Sequence, residues 1–417
     1  MRRLLKMIDE LPRLLQDDEK IETRMRSFSL VIQRLREEMT EEQREAVRRL
    51  KERRDEAIRN LDELLKIAEE NFENSGCSVF RARTGEDALK YIFEEIGDEE
   101  MVVKAKSNVL REIEFDERAA EMGISVIPTD VGDRIVELLN EEITHPTGPA
   151  AHLSSKFIAE RLSEIFGTKI PPEPEAIANF IRDDTLKYIM KAKVGISGAN
   201  SFSSEGVISL VHSEGNISLV TRIPEKHIAV LAIDRIVRST EDTVTFAKVQ
   251  SLYALGKPIT AYVDLISGPS KTGDIEKKIV KGMYGPKEMH VILLDNGRRE
   301  LIRRFPELAR CIGCGACVLV CPVSNVAAPL FGFTGHRSAR GIAYSYFIEG
   351  PERAVERGLF LCTTCNSCAS ICPMEIELPE IIRELRREAV KRGLAPEAQR
   401  VAARRILEEG SPYPKRK

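Results

Sequence analysis

The stretch Cys311-Ile-Gly-Cys-Gly-Ala-Cys-Val-Leu-Val-Cys-Pro322 decides how the last third of this chain folds. Its spacing, Cys-x2-Cys-x2-Cys-x3-Cys-Pro, returns in Cys362-Thr-Thr-Cys-Asn-Ser-Cys-Ala-Ser-Ile-Cys-Pro373. The two-residue gaps let three thiolates of one run face a common centre, as in ferredoxin-type [4Fe–4S] sites. A single Cys-x2-Cys pair would suit zinc equally well. Two four-cysteine runs that both end in Cys-Pro favour iron–sulfur clusters, and structural zinc is the alternative.

The fourth cysteine of each run follows the loop and starts a helix, so it is expected to reach the other cluster. The spacing therefore predicts two [4Fe–4S] clusters with crossed ligand sets. Gly313 and Gly315 would permit the backbone to approach the first cluster closely. One cluster is expected to be held by Cys311, Cys314, Cys317 and Cys372, and the other by Cys362, Cys365, Cys368 and Cys321.

The segment around the first run has no charged side chain over the 25 residues from Cys311 to Gly335. Its prolines and cysteines argue against a membrane span, and a buried, negatively charged cluster explains the missing charges better. The spacer between the runs has a helical pattern near residues 351–358, which predicts a helical two-cluster domain. We expect three polar residues of this spacer to form a solvated face, or alternatively a contact surface for a redox partner: His336, Arg337 and Arg340.

Composition excludes several other classes of protein. Eight of the nine cysteines lie within 62 residues, unlike the dispersed pattern of a disulfide scaffold. Lys and Arg (63) nearly balance Asp and Glu (66), and Trp is absent, which argues against a nucleic-acid partner. No apolar signal segment follows Met1. We therefore expect a cytoplasmic protein without a transmembrane segment, with peripheral membrane association through partners as an option. The ninth cysteine, Cys77, is predicted to be a small buried hydrophobe.

Residues 75–300 alternate short β-rich segments with helical patterns, which predicts an α/β domain with a largely parallel sheet. Such sheets bind ligands at the carboxyl ends of their strands. Helices are expected at 86–96, after 131 and at 158–166. Strands are expected at 78–82, 101–105, 124–128, 194–197, 207–212, 217–221, 228–233, 259–266 and 289–294.

The N-terminal segment is half charged, with 16 basic and 14 acidic side chains in residues 1–60. Apolar residues at helical spacing, and a capping box at Thr40-Glu-Glu-Gln43, predict a helical hairpin packed on the main domain. The alternative is a docking arm for a partner subunit. We expect four parts: an N-terminal helical arm (1–70), the α/β domain (71–300), a two-cluster domain (301–395), and a C-terminal helix with a loose tail (396–417).

Candidate ligand-binding residues in the α/β domain are few. Lys104, Lys106 and Ser107 lie where a predicted strand ends and a helix begins, a setting that suits a carboxylate or phosphate. A solvated strand face is the alternative. Ser204-Glu205-Gly206 resembles the Ser-Glu of CoA transferases, whose Glu is a nucleophile, although a turn is the more ordinary interpretation. No nucleotide fingerprint is present, so we expect electron relay rather than bond chemistry and assign no catalytic residue.

Several motifs in the same order resemble the lactate-utilisation (LUD) domain. They are Val102-Val-Lys-Ala-Lys-Ser107, Pro128-Thr-Asp-Val-Gly132, Gly195-Ile-Ser-Gly-Ala-Asn200, Glu214-Gly-Asn-Ile-Ser-Leu-Val-Thr221, Ile266-Ser-Gly-Pro269 with Thr272-Gly-Asp274, and Gly285-Pro286 with Leu293-Leu-Asp-Asn-Gly297. A LUD domain followed by two ferredoxin-type runs is similar to the B-type (LutB-like) iron–sulfur subunits of lactate oxidation. The resemblance covers roughly residues 60–390.

This resemblance implies a sugar-isomerase/CoA-transferase-like α/β fold and an iron–sulfur electron-transfer subunit of a complex that oxidises lactate to pyruvate. The implied partners are a flavin-dependent lactate dehydrogenase, a cysteine-rich-domain iron–sulfur subunit, or both. Alternatively, the α/β domain itself binds or transforms a carboxylate or acyl substrate, or the relay serves another 2-hydroxy acid dehydrogenase. The chain departs from the family at Ser203-Ser-Glu-Gly-Val207, where Ala-Glu-Thr-Gly-Thr is common, which leaves the role of Glu205 open. It also lacks the family's longer C-terminal extension, and for this reason we expect it to have a different partner.

Overall fold

The computed structural model describes residues 18–257, 259–333 and 335–413. The beginning of the expected N-terminal arm and the last four residues of the expected tail lie outside these ranges. Among the described residues, no helix combines the length and apolar character that crossing a bilayer requires.

From residue 18 onward, three N-terminal helices pack on the rest of the molecule: α1 (Asp18–Arg36), α2 (Glu41–Arg59) and α3 (Leu61–Asn74). The predicted capping box starts α2, with Gln43 N donating to Thr40 Oγ1 at 3.2 Å and Thr40 N donating to Gln43 Oε1 at 2.9 Å. Leu50 of α2 and Leu64 of α3 are buried in different core clusters. The expected N-terminal helices packed on the rest of the chain are therefore confirmed, and α3 follows them as a third helix.

A six-stranded, entirely parallel sheet forms the centre, in the order β1-β12-β7-β4-β2-β3. Neighbouring residues of its strands enter different cores, as Val102 and Val103 do on opposite faces. The predicted α/β class with a largely parallel sheet is confirmed. The strands are β1 (Ser78–Ala82), β2 (Met101–Lys104), β3 (Ser125–Pro128), β4 (Val194–Ser197), β7 (Lys226–Ala232) and β12 (Glu288–Leu294).

A second sheet of four strands, in the order β8-β5-β6-β9, lies beyond the carboxyl end of β4. It is mixed, because β5 pairs antiparallel with β6 and parallel with β8. Its strands are β5 (Ser201–Ser203), β6 (Ile208–His212), β8 (Ile236–Val237) and β9 (Tyr262–Ile266), and β10 (Lys271–Thr272) and β11 (Val280–Lys281) form a separate short hairpin.

Helices fill the connections between these strands. The strand expected at 217–221 is wrong, because this segment forms the short helix α10. Gly215 turns the chain with a φ of 85°, and the buried residues Ile217 and Val220 then share one helical face. The helices are α4 (Gly85–Ile96), α5 (Asn108–Glu112), α6 (Phe115–Glu121), α7 (Val131–Leu138), α8 (Ser155–Phe166), α9 (Pro174–Ile189), α10 (Asn216–Val220) and α11 (Thr240–Leu255).

The last part is predominantly helical, as expected, with one two-stranded hairpin, β13 (Gly332–Phe333) and β14 (His336–Arg337). Its apolar core is continuous with that of α2 and α11. The helices are α12 (Arg298–Arg304), α13 (Pro306–Ala309), α14 (Ala316–Leu319), α15 (Pro322–Ala327), α16 (Ser338–Ile348), α17 (Pro351–Glu356), α18 (Ser367–Ser370), α19 (Leu378–Lys391) and α20 (Glu397–Glu409).

Candidate functional site

The eight clustered cysteines line two separate cavities, and none of them forms a disulfide. Each cavity combines three cysteines of one run with the fourth cysteine of the other run. The first is lined by Cys311, Cys314, Cys317 and Cys372, and the second by Cys362, Cys365, Cys368 and Cys321. These are the two sets that the sequence suggests as ligands.

The two cysteine loops have the same backbone shape although their residues differ. Gly313 and Gly315 have positive φ angles of 70° and 82°. Thr364 and Asn366, at the equivalent positions, have φ angles of 50° and 68°. A positive φ is costly for a β-branched residue such as Thr364. A strained conformation at this position indicates that the loop shape itself is required.

Backbone and hydroxyl groups point at the cysteine sulfurs. Gly313 N donates to Cys311 Sγ at 3.4 Å, and Thr364 N donates to Cys362 Sγ at the same distance. The Ser338 hydroxyl donates to Cys317 Sγ at 3.6 Å. Hydrogen bonds of this kind stabilise the negative charge of cluster-bound sulfur.

The chemistry of the donor set fits a thiolate-ligated cluster. Burial raises the pKa of the Cys317 thiol to about 12, so a thiolate there requires a bound cation. Within the described ranges, no three His, Cys, Asp or Glu side chains converge as ligands of a single metal ion. The four thiols of each set instead surround a cavity, and such thiols would hold the corners of a [4Fe–4S] cube.

Arg340 lies in the wall of the first cavity. It is only 5% exposed, and its Nε and Nη2 atoms have no hydrogen-bond partner among the described residues. Its Nη1 donates to His336 Nδ1 at 2.8 Å. Two buried donors without acceptors therefore belong to a residue that lines the same cavity as the thiols of Cys311 and Cys317.

The interpretation of His336, Arg337 and Arg340 as a solvated face or partner surface is wrong, because all three are buried. Arg337 donates to the carbonyl oxygens of Pro329 and Ile143, both at 2.7 Å. Ile143, which accepts from Arg337, and Glu112, which contacts His336, lie far away in sequence, so a local charge pattern does not reveal these contacts.

A buried hydrogen-bond network fixes the position of Glu112, which contacts His336 Nε2. Arg298 donates two hydrogen bonds of 2.7 Å to the Glu112 carboxylate and one of 2.8 Å from Nε to Asp234. The Tyr344 hydroxyl donates to Asp234 at 2.9 Å. Burial opposes the charge of Glu112, but Arg298 and His336 outweigh it and lower the Glu112 pKa to about 2. Burial, aided by Arg340, lowers the pKa of His336 to about 3, so this imidazole is neutral.

Three polar side chains hold the first cysteine loop and the segment before it against the rest of the molecule. Arg235 Nη1 donates to the Cys311 carbonyl at 2.5 Å, and Gln250 Nε2 donates to the Ile312 carbonyl at 2.7 Å. Arg54 of α2 is completely buried and donates to the carbonyl oxygens of Ala309, Asp234 and Ile236. Nothing in the local sequence around these residues distinguishes them from surface charges and amides, so the sequence alone does not single them out.

The four candidate ligand-binding residues of the α/β domain do not come together. Lys104 is buried and forms an ion pair with Asp116. Glu205 lies on the surface, where it accepts hydrogen bonds from Thr240 at the start of α11. Lys106 and Ser107 alone reach a common cavity. The strand β2 ends at Lys104, so the regular alternation that would place Lys104 and Lys106 on the same face stops between them. The Ser107 hydroxyl caps the five-residue helix α5 through Leu110 N.

That common cavity has a volume of about 230 Å³. It lies where β2 and β4 end and is closed on another side by Ile312 and Gly313 of the first cysteine loop. Lys106 donates to Asp130 at 2.5 Å inside it. The carboxyl edge of the sheet is thus where a ligand site of this fold class is expected, and here it borders a candidate metal centre.

Two other residues with reactive side chains, Cys77 and His227, are buried outside the thiol cavities. Cys77 is buried, which confirms the prediction for it, and burial raises its pKa to about 12. His227 is buried beside Ser197, with Nε2 2.8 Å from the hydroxyl oxygen.

Comparison with known families agrees with this arrangement. The family model of the LUD domain matches residues 65–294, and that of the 4Fe-4S dicluster domain matches residues 307–376. The uncharacterized electron transport protein YkgF of Escherichia coli is 32% identical over 364 residues, which cover 84% of this chain and 72% of that protein. Lactate utilization protein B of Bacillus cytotoxicus is 31% identical over 365 residues, covering 84% of this chain and 73% of that protein.

Lactate utilization protein B of Macrococcus caseolyticus is 31% identical over 375 residues, covering 86% and 74% of the two chains. A crystal structure of a DUF162 family protein from Deinococcus radiodurans, 15% identical, matches 56% of this chain and 98% of that chain with a TM-score of 0.30. The chain therefore belongs to the LUD-domain family, together with these curated relatives, and it carries a 4Fe-4S dicluster domain after its LUD domain.

Proposed function

We propose that this chain is the iron–sulfur electron-transfer subunit of a complex that oxidises lactate to pyruvate. It carries electrons from a dehydrogenase partner through two [4Fe–4S] clusters to an acceptor. The single observation that supports this most is the pairing of thiols from both runs around two cavities. The names of the relatives, which mention lactate utilization and electron transport, support the pathway.

Each cluster, when bound, accepts and releases one electron. The chain supplies the thiolates, the N–H groups that stabilise negative charge on sulfur, and surroundings that exclude water. Cys311 and Cys314 are buried, whereas Cys365 is exposed. The second cavity is therefore the better placed to exchange electrons with a partner at the surface.

The partner is proposed to be a flavin-dependent lactate dehydrogenase, a cysteine-rich-domain iron–sulfur subunit, or both. The complex would act in the cytoplasm, with any membrane contact made through a partner. A second candidate function, in which the α/β domain itself binds a small carboxylate, is favoured by the cavity beside Lys106.

Anaerobic purification followed by addition of lactate tests the relay. The protein should contain about eight iron and eight sulfide, and lactate should bleach the clusters only when the flavoprotein partner is present. Bleaching by lactate in the protein alone would contradict a pure relay and favour chemistry in the α/β domain. The matched control replaces Cys77, which lines neither thiol cavity, with Ala, and this variant should keep both clusters.

A further inference from the structure

One cavity is shared by the α/β domain and the first cysteine loop. Its walls come from the chain after β2 (Lys106), after β4 (Asn200), after β6 (Glu214), from α11 (Gln250) and from the loop itself (Gly313). Five separate elements thus converge on a space of about 230 Å³. A water molecule occupies about 30 Å³ in the liquid, so the space suits a ligand of only a few heavy atoms.

Three cationic side chains of the described chain line this cavity, Lys106, Arg235 and Arg298, and Arg298 is bound to Glu112 and Asp234. Lys106 is paired with Asp130 at 2.5 Å, which offsets much of its charge. Arg235 is held by the Cys311 carbonyl, and a Cβ atom placed on Gly313 would lie 3.3 Å from Arg235 Nη2. Because Gly313 has no side chain, there is room for the Arg235 guanidinium between the cysteine loop and the cavity. Asp234, 4.0 Å from Arg235 Nε, is shared with Arg298, and Asp130 is paired with Lys106. The positive charge of Arg235 is therefore only partly offset, and the cavity favours an anion of low charge.

Polar groups that bind oxygen functions lie on the opposite walls. The Ser251 hydroxyl is buried and has no hydrogen-bond partner among the described residues. Asn200 Nδ2 donates to Gln250 Oε1 at 2.7 Å. Glu214 is an exposed residue of the cavity wall, and partial burial of its carboxyl group together with the charge of Asp130 raises its pKa to about 7. A second acidic group at the wall disfavours a doubly charged ligand such as phosphate.

We propose that this cavity binds a small monocarboxylate with a hydroxyl or keto oxygen on carbon 2, whose carboxylate is held by Arg235 and Lys106. The second oxygen would meet the polar groups of Glu214 and Ser251. The inference rests on the proposed function, because it gives a 2-hydroxy or 2-oxo acid a place in the electron-transfer subunit itself.

Arg235 also connects the cavity to the first candidate cluster. The same guanidinium that would bind the carboxylate donates to the carbonyl oxygen of Cys311. Ligand binding therefore changes the hydrogen bonding of a cysteine in the first set. By reciprocity, the oxidation state of that cluster changes the affinity for the ligand.

Calorimetry on the anaerobic holoprotein tests the proposal, with lactate (both enantiomers), pyruvate, propionate, lactamide and inorganic phosphate as probes. Lactate or pyruvate should bind, and propionate and lactamide should bind at least tenfold more weakly, since each lacks one of the two oxygen functions. Arg235→Gln should weaken binding at least tenfold. Ala254→Phe, which places a bulky side chain in the cavity wall, should abolish it. Arg238→Gln, on the exposed arginine paired with Glu56, is the matched control and should bind normally.

The failures of the two proposals are distinguishable. If electron paramagnetic resonance shows both reduced clusters but no probe binds, or Ala254→Phe binds as well as the parent, the cavity proposal is overturned and the relay stands. Tighter binding of phosphate than of any carboxylate also overturns it. A protein that binds lactate but holds no [4Fe–4S] cluster would contradict the relay instead. A change in the midpoint potential of one cluster on adding the ligand is the expected positive result.

Discussion

Arg340 donates a hydrogen bond of 2.8 Å from Nη1 to His336 Nδ1, and His336 Nε2 lies 2.8 Å from the Glu112 carboxylate. A neutral imidazole that accepts at Nδ1 and donates at Nε2 satisfies both contacts. Glu112 belongs to the α/β domain, whereas Arg340 lies beside the first set of thiols. His336 therefore fixes the Arg340 guanidinium through Nη1, and the two unpaired donors, Nε and Nη2, remain available to groups in the cavity.

Arg340→Gln should lower the midpoint potential of the cluster held by Cys311, Cys314 and Cys317. A hydrogen bond to a charged group contributes roughly 1.5–3 kcal/mol. For a one-electron couple this corresponds to a decrease on the order of 60–130 mV. An anaerobic redox titration followed by electron paramagnetic resonance measures it. Arg383→Gln, on an arginine at the surface of α19, should leave the potential unchanged. An unchanged potential in Arg340→Gln with both clusters present would exclude this role.

Cys321→Ala should damage the cluster whose other ligands are Cys362, Cys365 and Cys368, because Cys321 lines their cavity. Cys372→Ala should damage the cluster of the first run for the same reason. Iron content and Mössbauer spectra of the two variants check this. If each variant instead lost the cluster held by the other three cysteines of its own run, the ligand sets would not be crossed.

Arg54→Leu should destabilise the protein strongly. The substitution leaves three carbonyl oxygens in the interior without their donor, those of Ala309, Asp234 and Ile236. Each unsatisfied group costs about 1–3 kcal/mol, so a loss of at least 3 kcal/mol is expected. Scanning calorimetry of the anaerobic holoprotein measures the unfolding temperature. Arg53→Leu changes the neighbouring arginine, which is partly exposed, and should have a much smaller effect. Equal unfolding temperatures for the two variants would refute the argument.

Gly341→Ala should displace the start of α16 from the hairpin β13–β14. A Cβ atom on Gly341 would lie 1.7 Å from the carbonyl oxygen of His336, a distance that no side-chain rotation relieves. Such overpacking typically costs about 1–3 kcal/mol. Gly273→Ala is the control, since its Cβ would make only an ordinary contact with Ile279. Circular dichroism melts should separate the two, and identical melts would show that this contact relaxes freely.

Acid should destabilise the protein partly through His227. Burial, aided by His290, lowers the pKa of His227 from 6.5 to about 4. Between these values the unfolded chain binds a proton that the folded chain does not, so stability falls as the pH falls from 6.5 toward 4. The full difference corresponds to about 3 kcal/mol. His227→Gln should therefore lose less stability between pH 7 and pH 5 than the parent. A variant with the same pH dependence as the parent would assign the acid sensitivity to other groups.

Local sequence patterns predict much of this molecule. The repeated cysteine spacing indicates the cluster-binding domain, because a two-residue gap places neighbouring thiols at one loop. The alternation of strands and helices predicts the parallel sheet, and the capping box at Thr40 predicts the start of α2. The wrong prediction of a strand at residues 217–221 also has a local cause, because β-branched residues in a short apolar segment suit a strand or a helix equally.

Tertiary structure alone decides which polar residues are interior. Glu112 and His336 are 224 positions apart, and Arg54 and Ala309 are 255 apart, yet each pair is hydrogen-bonded. A charged side chain is stable in the interior only when such distant partners satisfy it, and no spacing along the chain encodes them. For the same reason, the cysteine pattern can be recognised in the sequence, whereas the cavity lined by both Lys106 and Gly313 exists only in the folded chain.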